Sequence, residues 1–280
     1  MIFSPMIDAA AAGILGLLVG SFLNVVIYRL PKILERQWAA ECAELAGETP
    51  QQAPPFNLLT PRSRCRQCGH MIRWYENVPI LSYLVLRGKC SACSAPIGLR
   101  YPLVEFATAA LFFFSILHWG ATPAGAVWCG FSAAIVALGL IDWDTTLLPD
   151  DVTLPLLWAG LIAAALRWTP VALPQALWGA VAGYLSLWLI YHGFRLLTGK
   201  EGMGHGDFKL FAALGAWFGW TALVPIILMA SVIGAAVGIA MKLSSGLREG
   251  GYVPFGPFLA GAGLTAMIFG PGSILAAIGL

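Results

Sequence analysis

Long apolar stretches set the plan of this chain. The first, Ala9–Tyr28, holds about twenty apolar or small residues, enough to cross a bilayer as a helix. After a polar segment, others follow at about Tyr101–His118, Pro123–Ile141, Val152–Arg167, Leu173–Leu196, Phe208–Trp220, Leu223–Lys242 and Phe255–Ile278. The fourth and sixth are short, so neighbouring helices are expected to shield them at membrane depth. The pattern predicts an all-α polytopic membrane protein of about eight transmembrane helices. Ser21 and Asn24 interrupt the first stretch and are expected to make interhelical hydrogen bonds or mark the interface. Met1–Asp8 lacks the basic residues of a signal peptide, so the first span reads as uncleaved.

Composition agrees. The chain is 59% hydrophobic and 11% charged, with a mean hydropathy of +0.78. Soluble domains carry about 25% charged residues. The net charge is only +2, which gives no footing for nucleic acid as a partner.

Where the charges lie says more. Of 16 Lys and Arg, the segment 29–100 holds Arg29, Lys32, Arg36, Arg62, Arg64, Arg66, Arg73, Arg87, Lys89 and Arg100. The positive-inside rule makes this loop cytoplasmic and the N-terminus external. Arg195, Lys200, Lys209, Lys242 and Arg248 then also fall on the cytoplasmic side, and only Arg167 outside. The expected division is residues 1–30 as first helix, 31–100 as cytoplasmic loop and 101–280 as a seven-helix core. Within the loop, Ile33–Gly47 reads as a short helix and Pro50–Pro61 as a linker.

Cys65-Arg66-Gln67-Cys68 and Cys90-Ser91-Ala92-Cys93 match a four-cysteine metal site. Thiolates at this spacing fold two knuckles around one tetrahedral ion, expected to be structural zinc, with iron an alternative. Disulfides are disfavoured in a reducing cytosolic loop. His70 reads as a neighbour of the site or solvent-facing, and Cys42 and Cys129 as buried or interfacial thiols. The intervening run Val78–Leu86 is too short to span. It either packs on the module or lies on the membrane surface.

Acidic residues are scarce, 14 in 280, yet two groups sit at ends of spans on the predicted cytoplasmic side. One is Asp142, with Asp144, Asp150 and Asp151 following. The other is Asp207, in the glycine-rich Gly202-Met203-Gly204-His205-Gly206-Asp207-Phe208-Lys209. Two partly desolvated carboxylates facing each other do not both ionise readily, so one holds a proton while the other acts as base. Asp142 and Asp207 are the expected pair. Gly202, Gly204 and Gly206 are expected to supply unusual backbone angles and room for a peptide. Helix capping is the competing role for Asp207 and the favoured one for Asp150 and Asp151. Asp144 is left between a catalytic or orienting role and none. Lys209 either orients substrate, tunes a carboxylate, or anchors the span.

Gly204-His205-Gly206-Asp207 resembles the GxGD motif of intramembrane aspartyl proteases. Gly202–Leu210 and Ile141–Asp150 together resemble the two aspartate motifs of the type IV prepilin peptidases. Gly20–Pro31, the double C-x-x-C, Arg100-Tyr101-Pro102-Leu103-Val104-Glu105 and Pro254-Phe255-Gly256-Pro257 are similar to that family too. The resemblance implies that Asp142 and Asp207 are catalytic and that the substrates are prepilins or pseudopilins. Their short basic leaders are cut at the cytoplasmic face of the bacterial inner membrane. Members with the cysteine loop also N-methylate the new N-terminus, with S-adenosylmethionine as donor. No glycine-rich strand-to-helix fingerprint for that donor is present, so its site must come from segment 29–100 and nearby helix ends. Glu105 is a candidate there, or else an ion-pair partner of an Arg. The rival classes are a transporter with a regulatory zinc domain and a secretion scaffold. Mid-span positions are overwhelmingly apolar, which speaks against the transporter.

Overall fold

The computed structural model describes residues 4–48, 54–244 and 253–277. Arg248, the start of the Pro50–Pro61 linker and the end of the eighth predicted span lie outside them. The described chain is helical: α1 (Pro5–Leu45), α2 (Leu81–Val85), α3 (Arg100–Trp119), α4 (Pro123–Thr145), α5 (Asp150–Ala165), α6 (Leu173–Thr198), α7 (His205–Phe218), α8 (Leu223–Leu243), α9 (Gly256–Phe269) and α10 (Pro271–Ala277). Among the described residues pairing is limited to two isolated antiparallel bridges, both in the cysteine loop. Five helices, α1, α3, α4, α6 and the segment Trp220–Leu243, are long and apolar enough to cross a membrane. The other predicted spans coincide with the shorter α5, α7 and α9. Uncovered apolar side chains such as Leu18, Phe22, Trp178, Leu189 and Val232 stud the long helices, as lipid-facing surfaces require. The chain fits a multi-pass membrane protein.

Two boundaries differ from expectation. The first span and the short helix after it are one helix, α1, which continues through Pro31. Proline costs the bond to the carbonyl four residues back. The good helix formers that follow, including Lys32, Leu34, Glu35, Arg36 and Gln37, carry the helix on. The eighth span ends early, because Gly270 takes a left-handed conformation (φ 81°) and Pro271 starts a new helix.

The chain divides into two compact units, Met1–Cys129 and Gly130–Leu280. In the first, α1 and α3 pack antiparallel. Gly13 lies against Phe113, Gly16 against Ala109, and Gly20 against Glu105. A Cβ on Gly16 or Gly20 would fall 2.7 Å from the α3 backbone, so this approach requires glycine. One turn on, Asn24 donates to the Tyr101 carbonyl at 3.2 Å, the interhelical role expected of it. Arg29 is buried and its guanidinium donates to the carbonyls of Asn57, Leu58 and Pro61, fixing the chain where it enters the cysteine loop.

In the second unit the short α7 is the central element. Phe208 and Leu210–Trp217 are all buried. Helix α6 meets it glycine to glycine at Gly179 and Gly215, Gly160 of α5 seats the Trp217 ring, and Gly263 of α9 seats Leu214. The Trp217 indole N–H donates to the Leu156 carbonyl at 2.8 Å. A helix apolar on every side is stable only when enclosed by others. Enclosure also explains how fourteen residues serve where a lipid-exposed span needs about twenty.

Candidate active site and cysteine cluster

Both candidate aspartates are buried helix-end residues of the second unit, Asp142 at 5% exposure and Asp207 at 4%. Asp142 lies in the last turn of α4. Its carbonyl accepts the N–H of Thr146, whose left-handed conformation (φ 57°) turns the chain out of the helix. Asp207 is the third residue of α7, and Gly204 is the residue that starts the helix. The fold brings the two together, and Asp142 lies close enough to act electrostatically on Asp207. Asp207 Oδ1 is buried with no hydrogen-bond partner among the described residues.

Leu148, in the turn between α4 and α5, joins the parts. A Cβ on Gly206 would lie 2.6 Å from Leu148 Cβ, and one on Gly256 would lie 3.2 Å from Leu148 Cδ1. The Gly256 Cβ would also sit 2.6 Å from Asp142 Oδ2. Three elements, the α4 end, the α7 start and the α9 start, therefore converge where only glycine fits. The glycines of the α7 turn act differently than expected. None of Gly202, Gly204 and Gly206 has a left-handed backbone. Gly206 provides close approach, Gly202 lies under the Phe194 ring, and Gly204 is exposed, with only Asp207 Oδ2 within reach at 3.6 Å.

Lys209 is bound to the other acidic segment. Its Nζ donates to both Asp150 oxygens at 2.7 Å, so it latches the start of α7 to the start of α5. Asp150 is a first-turn acid and latch partner, and neither it nor Asp151 caps α5, whose N-cap position is Pro149. Asp144 is exposed at the end of α4. Beside the α7 start, Tyr191 is 2% exposed and packs on His205 and Phe208. Its hydroxyl is buried with no partner among the described residues. Leu148, Gly256 and Tyr191 escaped the sequence reading. Gly256 alone left a trace, in Pro254–Pro257.

In the first unit, the Sγ atoms of Cys65, Cys68, Cys90 and Cys93 all lie within 4.8 Å of one another. The two knuckles are built alike. Cys65 N–H donates to the His70 carbonyl and Cys90 N–H to that of Ala95. Gly69 and Ser94 close each turn with φ of 74° and 59°. The Cys65–Cys93 sulfur separation is 3.8 Å. That is the edge of a tetrahedron whose vertices lie about 2.3 Å from its centre, the zinc–thiolate distance. The donor set fits the ion. The N–H groups of Cys68 and Gln67 pull the Cys65 thiol down to about 6. The Ala95 N–H favours the Cys93 thiolate as well, yet the surrounding thiols push it up to about 12. Four sulfurs this close ionise together only around a cation. His70 is outside the ligand set, with Nε2 3.2 Å from Glu76 Oε2. Cys129 is buried as expected, but Cys42 is exposed near the end of α1.

Glu105 pairs with no arginine among the described residues. Its Oε2 accepts the Ile80 N–H at 2.8 Å, and the Ser21 hydroxyl lies beside it. Ile80 has φ 59°, a costly conformation for a β-branched residue, which Glu105 holds in place. The Val78–Leu86 run is thus tied to α3 at one end, while Leu81, Leu84 and Val85 are exposed.

Residues 14–119 match the model of the bacterial peptidase A24 N-terminal domain, and residues 129–239 that of the type IV leader peptidase family. The chain is 51% identical to a prepilin leader peptidase/N-methyltransferase of Pseudomonas putida, across 95% of this chain and 92% of that protein. It is 49% identical to those of Stutzerimonas stutzeri and Aeromonas hydrophila, over the same shares of each chain. No solved structure gives a significant match.

Proposed function

Since the chain belongs to the type IV leader peptidase family, we propose that Asp142 and Asp207 are its catalytic pair. The enzyme is a membrane-embedded aspartic endopeptidase. It removes the short basic leader of prepilins or pseudopilins and N-methylates the new N-terminal residue. The observation that carries this is the burial of two acids from distant motifs against one another at a glycine-lined junction.

The chemistry follows from the pair. Two buried carboxylates in electrostatic contact hold one proton between them. The ionised one takes a proton from water as that water attacks the scissile carbonyl. The protonated one donates to the carbonyl oxygen. Collapse of the tetrahedral intermediate returns a proton to the leaving amine and breaks the C–N bond. Leu148, Gly206 and Gly256 hold the two acids in register, and the Lys209–Asp150 latch keeps the α5 and α7 starts together. Gly204 leaves its side of Asp207 open to a peptide backbone.

The protein sits in the bacterial inner membrane with its N-terminus outside and both aspartates at the cytoplasmic face, as the distribution of Lys and Arg supports. Cys65, Cys68, Cys90 and Cys93 hold zinc, which closes the cysteine module structurally and leaves no open position for catalysis. S-adenosylmethionine is the methyl donor. The relatives give the transporter alternative no support. Incubation of purified enzyme with a prepilin and labelled S-adenosylmethionine, followed by mass analysis, tests the reading. A product shortened at the leader and heavier by one methyl group is expected. An unprocessed prepilin would refute it.

A further inference from the structure

A cleft of about 610 Å³ opens in the cysteine module, between the turn Trp74–Asn77, α2 and the second knuckle. One wall is apolar, formed by Val78, Leu81 and Leu86. The other carries charge. Glu76 Oε2 accepts the Arg73 N–H at 2.8 Å and lies 3.2 Å from His70 Nε2, which is 3.3 Å from Ser91 Oγ. The Arg73 N–H is the main cause that holds Glu76 ionised, down to about 2. The Arg73 guanidinium spends one donor on the Tyr75 hydroxyl at 2.6 Å. Its other donors are available to an anion.

The size and the mixture of apolar wall and few convergent charges suit a small amphipathic ligand. Turns and short helices line this cleft. S-adenosylmethionine is a sulfonium cation flanked by an amino-acid carboxylate and an adenosine. Glu76 complements the cation, Arg73 the carboxylate, and the apolar wall the adenine face.

We infer that this cleft seats the methyl donor, which rests on the N-methyltransferase reading above. In the transfer, the neutral N-terminal amine of the cleaved substrate attacks the methyl carbon. A C–N bond forms and the C–S bond breaks, its electron pair staying on sulfur. The sulfonium becomes a neutral thioether, and the amine becomes a methylammonium. The proton that the starting ammonium had to lose goes to solvent.

The test uses full-length, metal-loaded protein purified in detergent. Calorimetry measures binding of S-adenosylmethionine, alongside methyl transfer, leader cleavage and zinc content. Ser82→Trp fills the cleft, and Arg73→Ala removes an exposed guanidinium. Both are expected to raise the donor Kd about ten-fold or more and to lose methyl transfer in parallel, with cleavage and zinc content kept. Wild-type donor affinity in a variant that still cleaves would overturn the assignment. If Ser82→Trp loses its zinc, Arg73→Ala decides alone. A wild-type enzyme that cleaves but neither binds donor nor methylates would overturn the methyltransferase reading, and the cleft with it. Normal donor binding in both variants overturns the cleft alone.

Discussion

Gly256 and Gly204 both border the aspartates, yet their substitution should differ. A Gly256→Ala methyl would meet the Asp142 carboxylate and Leu148, neither of which can retreat far. That variant should lose most cleavage and some thermal stability, as overpacking by about 1–3 kcal/mol implies. Gly204→Ala meets nothing closer than 3.6 Å, so its Tm should stay at the wild-type value. Any cleavage it loses reports the approach of substrate. Thermal melts paired with cleavage assays separate the two. The Lys209–Asp150 latch is partly exposed, with side chains 29% and 52% accessible. It should therefore contribute only about 1 kcal/mol or less. A double-mutant cycle with Lys209→Ala and Asp150→Ala should show non-additive stability while both singles still process prepilin. The burial of Asp142 and Asp207 at helix ends was legible because each acid stands where an apolar run meets its loop. Leu148 was not, since a leucine in a loop carries no chemical signal. Nor was the Lys209–Asp150 pairing, because the partners are 59 residues apart.

At the scale of elements, the knuckles give a sharp expectation. Ser94 does in the second what Gly69 does in the first, in a left-handed conformation that costs a serine more than a glycine. Ser94→Gly should keep metal affinity and leave stability level or raised by about 1 kcal/mol. Cys65→Ser should drop zinc content well below the about one ion per chain of the wild type. Metal analysis of purified protein reads both, and equal metal in Cys65→Ser would rule out a site that depends on it. The helices themselves were legible from apolar stretches, because lipid leaves little freedom of pattern. Their ends were not. The continuation of α1 past Pro31 depends on helix propensity outweighing one lost hydrogen bond. The break at Gly270-Pro271 is written in the sequence but lies within a long apolar run that masks it. The enclosure of α7 was foreshadowed by its shortness, whereas the glycines that admit its neighbours show their purpose only when the partner helices are seen.

Across the whole molecule, the account needs one charged and one neutral acid at the aspartate site. Cleavage by the wild type should therefore follow a bell-shaped pH profile, falling in acid as both groups protonate and in base as both ionise. Methyl transfer to an already processed substrate uses no aspartate, so its fall in acid should instead follow protonation of the substrate's α-amine, which ordinarily titrates at about 8. The most direct measurement is single-turnover cleavage of a purified prepilin by wild type, Asp142→Asn, Asp207→Asn and the double variant, all in the same membrane mimetic. The pair acting as one unit predicts that each single variant loses about 10³-fold or more and that the double is no worse than either. A single variant that keeps more than about a tenth of the wild-type rate, a loss under about 1.4 kcal/mol, would contradict the pairing of Asp142 with Asp207.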